Sequence, residues 1–74
     1  MSIFDEVESE VIRARRLHPS YHSYHEAYAV IAEELDEFWE IVRQKDNDRD
    51  PEAARKELIQ VAATAVRAIG DLGL

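Results

Sequence analysis

The sequence predicts an all-α fold in which three helices form one domain, residues 1–74, and complete their core by self-association. Glycine and proline are scarce, with two of each in 74 residues, and none falls inside a periodic segment. Apolar residues recur at helical spacing in three segments separated by short polar stretches. The chain has no cysteine, so disulfides and thiolate metal sites are excluded. A core this small supplies only about 3–5 kcal/mol, which leaves oligomerisation or an oxygen-ligand metal site to add stability.

The first helix is predicted to begin after Ser2, a suitable N-cap, and to end near Leu17. Its apolar residues fall on one stripe, with charged residues opposite: Ile3, Phe4, Val7, Val11 and Ala14. The pair His18-Pro19 ends this helix, because proline disfavours helical geometry in the residue before it and lacks a backbone N–H.

The second helix is predicted to begin between Ser20 and Ser23 and to run to about Lys45. Ser23 with Glu26 three positions later has the pattern of a capping box. The apolar residues alternate steps of four and three, which is typical of the seam between packed helices: Tyr24, Tyr28, Ile31, Leu35, Phe38 and Val42.

After a polar turn over residues 46–49, Asp50-Pro51 predicts the start of a third helix that runs to about Ile69 and stops at Gly70. Its many alanines let another helix approach closely. The second and third helices should therefore form a long antiparallel pair. Each has an apolar arc wider than one partner can cover, so we expect two chains to complete a four-helix bundle, as a homodimer or a dimer of dimers.

The net charge of −7 argues against binding of duplex nucleic acid, whose phosphates need a basic surface. It favours a hard cation, a cation-bridged phosphate ligand or a basic protein partner. The longest apolar run falls far short of the roughly 20 residues that a membrane span needs. No basic and apolar leader is present at the N-terminus, so we expect a cytoplasmic protein with no membrane association.

Two acidic residues of the second helix occupy unusual positions. Glu34 projects into the arc formed by Ala27, Val30, Phe38 and Ile41, and Glu37, three residues later, lies at its edge. In the third helix, Glu57 and Gln60 have the same spacing at the margin of the apolar face. Two carboxylates about 5 Å apart repel by roughly 3 kcal/mol at an effective dielectric near 20. A cation of the magnesium type relieves that repulsion; the alternative is that these glutamates extend to solvent or pair with Arg or Lys.

Residues 33–37 (EELDE) followed by residues 57–60 (ELIQ) resemble the EExxE…ExxD pattern of the MazG-like, all-α nucleoside triphosphate pyrophosphohydrolases. Residues 18–31 resemble the tract that precedes this motif in short phage and prophage members. Residues 61–67 (VAATAVR) resemble the alanine-rich continuation of the second motif helix. The resemblance covers roughly residues 18–70.

This resemblance implies hydrolysis of a nucleoside triphosphate to the monophosphate and pyrophosphate, dependent on Mg²⁺ or Mn²⁺. By the family pattern, Glu34, Glu37 and Glu57 would be metal ligands, and Glu33 would be an outer ligand or would orient the attacking water. Gln60 stands where the family has aspartate; its carbonyl can ligate magnesium but brings no charge.

The sequence also offers candidate substrate-binding residues, each with a simpler structural explanation. His22, Tyr24 and His25, at the start of the second helix, are suited to phosphate contact or base stacking, or else are exposed turn residues. Lys56 and Arg67 are suited to phosphate oxygens, or else are solvated or paired. Trp39 is suited to base stacking or to an oligomer interface.

Three functions therefore remain open at this point. The first is the hydrolase, with catalytic candidates Glu33, Glu34, Glu37 and Glu57. The second is the same fold, degenerate at Gln60, which binds metal or nucleotide without turnover. The third is an acidic helical interaction module, such as an inhibitor or antitoxin that covers a basic partner.

Overall fold

The computed structural model describes residues 2–74 and contains three α-helices, a 3₁₀ turn and no strand in that range. Helix α1 spans Ile3–Leu17, α2 spans Tyr24–Val42 and α3 spans Pro51–Asp71, with the 3₁₀ turn at Asp46–Asp48. The predicted all-α class and the predicted number of helices are confirmed. Within residues 2–74, no helix has the length and apolar character required to cross a membrane.

The predicted N-caps are formed by short-range side-chain bonds. Asp5 N donates to Ser2 Oγ at 3.1 Å, and Ser2 N donates back to the Asp5 carboxylate at 3.3 Å, which makes a full capping box at α1. At α2, Glu26 N donates to Ser23 Oγ at 3.0 Å. The return bond, from the backbone N of the N-cap to the side chain three residues later, is present at α1 but not at α2, so within residues 2–74 only α1 has the complete box. Asp50 caps α3 with Pro51 in its first turn, as predicted.

The predicted end of α2 near Lys45 is wrong, because the helix stops at Val42. The Arg49 side chain, beyond the turn, donates to the carbonyl oxygen of Val42 at 2.6 and 3.2 Å and to Asp46 at 2.6 Å. This guanidinium takes a carbonyl at the helix end that would otherwise lack a partner, and so fixes the 3₁₀ turn against α2.

The predicted stop of α3 at Gly70 is also wrong, because the helix continues to Asp71. Gly73, with φ of 69°, is the residue that ends it. Leu74 N donates to the carbonyl of Ile69 at 3.0 Å and Gly73 N to that of Gly70 at 3.3 Å, the two bonds of a Schellman motif. Gly70 has a different use: a Cβ there would lie 2.8 Å from Arg15 Nη2, so glycine leaves room for that side chain.

Helix α3 lies in the middle of the molecule and packs against both other helices, whereas α1 and α2 do not pack against each other. Tyr21 N, just before α2, donates to Asp71 at the end of α3, so α2 and α3 are antiparallel. Arg55 pairs with Glu6, and Arg15 pairs with Asp71, so α1 runs parallel to α3. The helices α1 and α2 thus flank a cleft whose floor is α3.

The core of this chain is small. Its buried apolar residues are Ala14, Tyr21, Ala27, Ala63 and Ala68, and none is a large aliphatic side chain. Val30, Ile31 and Leu72 pack half-buried against this group. Half of the predicted α2 seam is instead exposed: Tyr28 is 75% exposed, and Tyr24 and Leu35 are more than half exposed. In one chain, therefore, these three residues of the seam are left largely uncovered.

Candidate metal centre

Three carboxylates converge between α2 and α3. Glu34 and Glu37 are three residues apart on α2 and project in similar directions, and Glu57 faces them from the antiparallel α3. One oxygen from each side chain lies within 4.8 Å of the others. Glu34 and Glu57 are half-buried, and Glu37 is exposed. The structure thus brings together the three glutamates that the sequence proposed as ligands.

The proximity of these acids perturbs their ionisation. Burial, then the charge of Glu37 and a hydrogen bond with it, raise the pKa of Glu34 to about 7, with smaller contributions from Glu57 and Glu33. The pKa of Glu57 is also raised, first by burial and then by a hydrogen bond with Glu37 and its charge. One Glu57 oxygen, Oε2, is buried and has no hydrogen-bond partner. The charge of the neighbouring Lys56 opposes the shift at Glu57. Among residues 2–74, however, no Lys or Arg forms a salt bridge with any of the three glutamates.

The donor set fits a hard divalent cation. Mg²⁺ and Ca²⁺ bind oxygen ligands at about 2.0–2.6 Å, which places oxygens around one ion roughly 3–5 Å apart. The oxygens of Glu34, Glu37 and Glu57 lie within the upper limit of that range, and Glu57 has a buried oxygen, Oε2, without a hydrogen-bond partner among residues 2–74. All three groups are carboxylates, which favours magnesium, calcium or manganese over zinc or copper.

A cavity of about 390 Å³ adjoins this cluster in the cleft between α1 and α2. Its floor consists of α3 residues on one helical arc, Gln60, Ala63, Thr64 and Arg67. Glu34 lies in its wall and so belongs to both the cluster and the cavity. This volume is within the range of small-molecule sites.

Arg67 is the buried cation of the cavity floor, with 3% of its surface exposed. Its Nη1 donates to the Tyr21 hydroxyl and its Nη2 to the carbonyl of Pro19, both at 3.2 Å. The guanidinium carbon also lies 4.6 Å from the centroid of the Tyr21 ring, in a cation–π contact. The segment that joins α1 to α2 is therefore held against α3 through this side chain.

Asp71 holds the same segment from the end of α3. Its side chain is 4% exposed, accepts from Tyr21 N at 3.1 Å and lies 3.5 Å from Arg15. Burial raises the pKa of the Tyr21 hydroxyl, and the nearby Arg67 charge opposes that shift. Arg15, Asp71, Tyr21 and Arg67 thus join α1, the α1–α2 segment and α3 at one end of the cavity.

Gln60 faces α1. It lines the cavity beside Glu10, whose pKa is lowered first by its hydrogen bond with Arg13 and further by Gln60. Arg13 Nη2 and Nε donate to Glu10 at 2.5 and 2.9 Å, so this arginine already has a carboxylate partner. Gln60 is the residue that the family pattern gave as a fourth ligand. In this structure it contributes to the contact between α1 and α3.

The other predicted residues fall outside the cavity lining, with one exception. Glu33 is exposed and lines the cavity beside Glu34. His22, Tyr24 and His25 are exposed at the start of α2 and do not line it. Lys56 lies in a separate groove between α1 and α3, and Trp39 is exposed on the far side of α2.

Sequence reasoning missed Glu10, Tyr21 and Asp71 as parts of the cavity and its frame. Glu10 lies three residues after Val7 and seven after Ile3, at the edge of the apolar stripe of α1, and this spacing was a signal that the sequence reasoning did not use. Tyr21 belongs to an irregular segment without periodicity, and Asp71 follows the glycine that was expected to end α3. For Tyr21 and Asp71 the sequence signal was their proximity to Pro19 and Gly70, respectively.

The chain was compared with protein families, curated proteins and solved structures, and no match was found in any of the three comparisons.

Proposed function

We propose that this chain is a Mg²⁺-dependent nucleoside triphosphate pyrophosphohydrolase that releases the monophosphate and pyrophosphate. The observation that carries the proposal is the convergence of Glu34, Glu37 and Glu57 oxygens within 4.8 Å, next to a cavity of about 390 Å³. The order and spacing of these glutamates, with the resemblance of residues 33–37 and 57–60 to the MazG-like motif, support the choice of reaction.

The proposed roles follow from position. Glu34, Glu37 and Glu57 would hold the cation, and Glu57 Oε2 is free of other bonds for that purpose. When bound, Mg²⁺ would neutralise triphosphate charge and polarise the bond that is cleaved. Glu33, exposed at the cavity wall beside Glu34, would accept a proton from an attacking water. A cytoplasmic location, where nucleotide substrates are found, belongs to the same proposal.

The test is pyrophosphate release from a panel of ribo- and deoxynucleoside triphosphates with Mg²⁺ or Mn²⁺. We expect Glu34→Gln to lower kcat/KM by at least about 100-fold, which corresponds to some 2.7 kcal/mol of lost transition-state stabilisation. Glu40→Gln is the matched control. Glu40 lies on the same helix, is exposed and pairs only with Arg43, at 3.5 Å.

No release from any nucleotide would contradict the hydrolase. Retained Mg²⁺-dependent nucleotide binding, lost in Glu34→Gln, would then identify the second candidate, a binding protein of the same fold. Gln60 favours that alternative, because it faces Glu10 and brings no charge to the cluster. Absence of any Mg²⁺ response would instead favour the acidic interaction module.

We also propose that two chains associate through an apolar face, defined by Phe4, Tyr28, Leu35, Leu58 and Ile69. These side chains are 47–84% exposed, and none is charged in a chain that is 34% charged. The accessible surface is 5583 Å², whereas a folded monomer of 8.5 kDa has about 4,700 Å². The excess of roughly 900 Å² is close to what each partner buries in a stable dimer.

Such a dimer would place helices of a second chain opposite the α2 seam and thereby complete the bundle. Tyr28 and Leu35 lie roughly 140–160° around α2 from Glu33, and Leu58 and Ile69 lie roughly 160–180° around α3 from Gln60. The apolar face is therefore turned away from the cavity. Association by this face would leave both cavities open to a nucleotide.

A further inference from the structure

The Arg67 guanidinium carries a desolvated charge without an ion-pair partner. Within residues 2–74, no carboxylate lies within 4.0 Å of it. Its two hydrogen bonds reach neutral acceptors, the Tyr21 hydroxyl and the Pro19 carbonyl, and both are long at 3.2 Å. Its Nε is buried and has no acceptor at all. A buried cation in these surroundings is stabilised strongly by an anion that brings charge and acceptor oxygens together.

The cavity gives such an anion access. Arg67 and Gln60 lie on the same arc of α3, seven residues apart, and both line it. His18 lines the cavity on the side of the α1–α2 segment, and Glu34 lines its α2 wall. One cavity thus contains an unpaired guanidinium on its floor and a member of the carboxylate cluster in its wall.

We propose that Arg67 binds a phosphate oxyanion in this cavity, as a subsite separate from the Glu34–Glu37–Glu57 cluster. Identifying that phosphate as part of the substrate rests on the proposed function. A planar guanidinium offers parallel N–H donors that match two oxygens of one phosphate. Arg13, the other arginine in the lining, is occupied by Glu10.

The remaining lining restricts which anions are accepted. Glu10, Glu26, Glu33 and Glu34 all line the cavity, so a free anion meets repulsion on entering it. A phosphate accompanied by a divalent cation offsets that repulsion, because its cation lies toward the acidic wall while its oxygens reach the floor. We therefore expect pyrophosphate to bind more tightly with Mg²⁺ than without it.

The test observes the Arg67 Nε–H group directly. The full chain, labelled with ¹⁵N, is titrated with inorganic pyrophosphate at constant ionic strength, with and without Mg²⁺, and the arginine Nε–Hε resonances are followed by NMR. The Arg67 resonance, identified by its loss in Arg67→Lys, should move downfield and saturate. The resonances of the exposed Arg43 and Arg49 should not follow it.

The affinity for pyrophosphate gives a second measurement. We expect Arg67→Lys to weaken binding about tenfold, because a single ammonium cannot make the bidentate contact. Lys45→Gln removes an exposed cation that does not line the cavity, and should change the affinity less than about twofold. If Arg67→Lys does not fold, the Arg67 resonance is identified by sequential assignment of the unmodified chain. The titration of that chain then shows whether Arg67 binds the phosphate.

Three outcomes would overturn the subsite. In the first, the Arg67 chemical shift does not change. In the second, it changes linearly with the concentration of every salt. In the third, its titration with acetate or citrate saturates at a lower concentration than its titration with phosphate or pyrophosphate. Glu34→Gln separates this inference from the proposed function, since it removes a cluster ligand and one repelling charge. A saturable shift in Glu34→Gln without Mg²⁺ supports the subsite even if the chain hydrolyses no nucleotide. Turnover without any shift refutes the subsite alone.

Discussion

The cavity side and the apolar face of this chain differ in what each leaves without a partner. On the cavity side, the carboxylates of Glu34 and Glu57 are half-buried together, and Arg67 is buried with no carboxylate of residues 2–74 within 4.0 Å of it. On the apolar face, the large apolar side chains of Leu58 and Tyr28 are exposed to water. The same three helices thus present unbalanced charge on one side and uncovered apolar surface on the other.

This difference shows that one chain satisfies neither side by itself. Removing apolar surface from water is favourable by about 25 cal/mol per Å² before the costs of association are counted. Clustered, half-buried carboxylates are stabilised by protons or a cation, and a buried guanidinium is stabilised by an anion. Substitutions on the apolar face should therefore change association, and substitutions on the cavity side should change pH and ion dependence.

The largest expected effect is on association. Leu58→Gln should raise the dimer dissociation constant at least about 100-fold, because a symmetric interface loses the buried side chain twice and each loss costs roughly 2 kcal/mol. Sedimentation velocity across a micromolar concentration series measures this shift. The substitution should have little effect on the folding of the isolated chain, since Leu58 is 47% exposed there.

Lys56→Gln is the matched control for that experiment. It introduces the same residue two positions earlier on α3, but on the side that faces the groove with Glu6 and Glu10. We expect its dissociation constant to stay within about threefold of the unmodified value. Equal effects of Lys56→Gln and Leu58→Gln, or a chain that is monomeric throughout, would refute the apolar face as the interface.

The next effect concerns the pH dependence of stability. The pKa of Glu34 is about 7 in the folded chain, whereas that of an unperturbed glutamate is 4.5. Between these two pH values the folded state holds a proton that the unfolded state has released. The free energy of unfolding should therefore fall as the pH rises from about 4.5 to 7. Above about pH 7, the contribution of Glu34 should change little. After allowance for solvent screening, the change is about 1–2 kcal/mol.

The difference between Glu34→Gln and the unmodified chain isolates this contribution. The free energies of unfolding are measured by denaturation without divalent cations and at fixed protein concentration. That of Glu34→Gln should exceed that of the unmodified chain by about 1–2 kcal/mol at pH 8, and the two should be equal within error near pH 4.5. Glu40→Gln, exposed on the same helix, should show no such convergence. A Glu34→Gln chain that is less stable at pH 8 would contradict the repulsive cluster.

Magnesium should replace the proton in relieving this repulsion. At pH 8, Mg²⁺ at ten times its dissociation constant should add about 1.4 kcal/mol to the free energy of unfolding. The rise in melting temperature should be smaller at pH 6, because protons compete for Glu34 and Glu57. Glu57→Gln should abolish the rise, whereas Glu52→Gln, an exposed position on the same helix, should preserve it. An equal rise in both variants would mean that Mg²⁺ acts elsewhere.

The parts of the fold that depend on neighbouring residues were predictable from sequence. The N-caps at Ser2, Ser23 and Asp50 require side chains within three positions, and each forms. The convergence of Glu34 with Glu57 was also predictable, since helical periodicity places Glu34 on the apolar arc and a short turn makes α2 and α3 antiparallel. Two local rules are enough for that geometry.

Features that depend on distant residues were not predictable in this way. Arg67 looked like a cation for solvent or substrate, yet its burial depends on Tyr21 and Pro19, which are 46 and 48 residues away in sequence. The end of α3 was placed at Gly70 because glycine commonly stops helices; here that glycine makes room for Arg15, and Gly73 ends the helix. Periodicity contains no information on such pairings.

Gln60 provides the smallest and most discriminating test, because it distinguishes the family pattern from the contact observed here. Gln60→Asp restores the family residue, but it also places a second carboxylate beside Glu10. We expect it to lower the free energy of unfolding by about 0.5–1 kcal/mol in the Glu10 background, and by much less in Glu10→Gln, where the repulsion is absent. Denaturation of the four chains of this double-mutant cycle, with and without Mg²⁺, measures the coupling. A gain in Mg²⁺ affinity from Gln60→Asp in both backgrounds would show that the side chain turns to the Glu34–Glu37–Glu57 cluster. Coupling to Glu10 without such a gain would mean that position 60 serves the packing of α1 on α3, and that the three glutamates alone form the cation site.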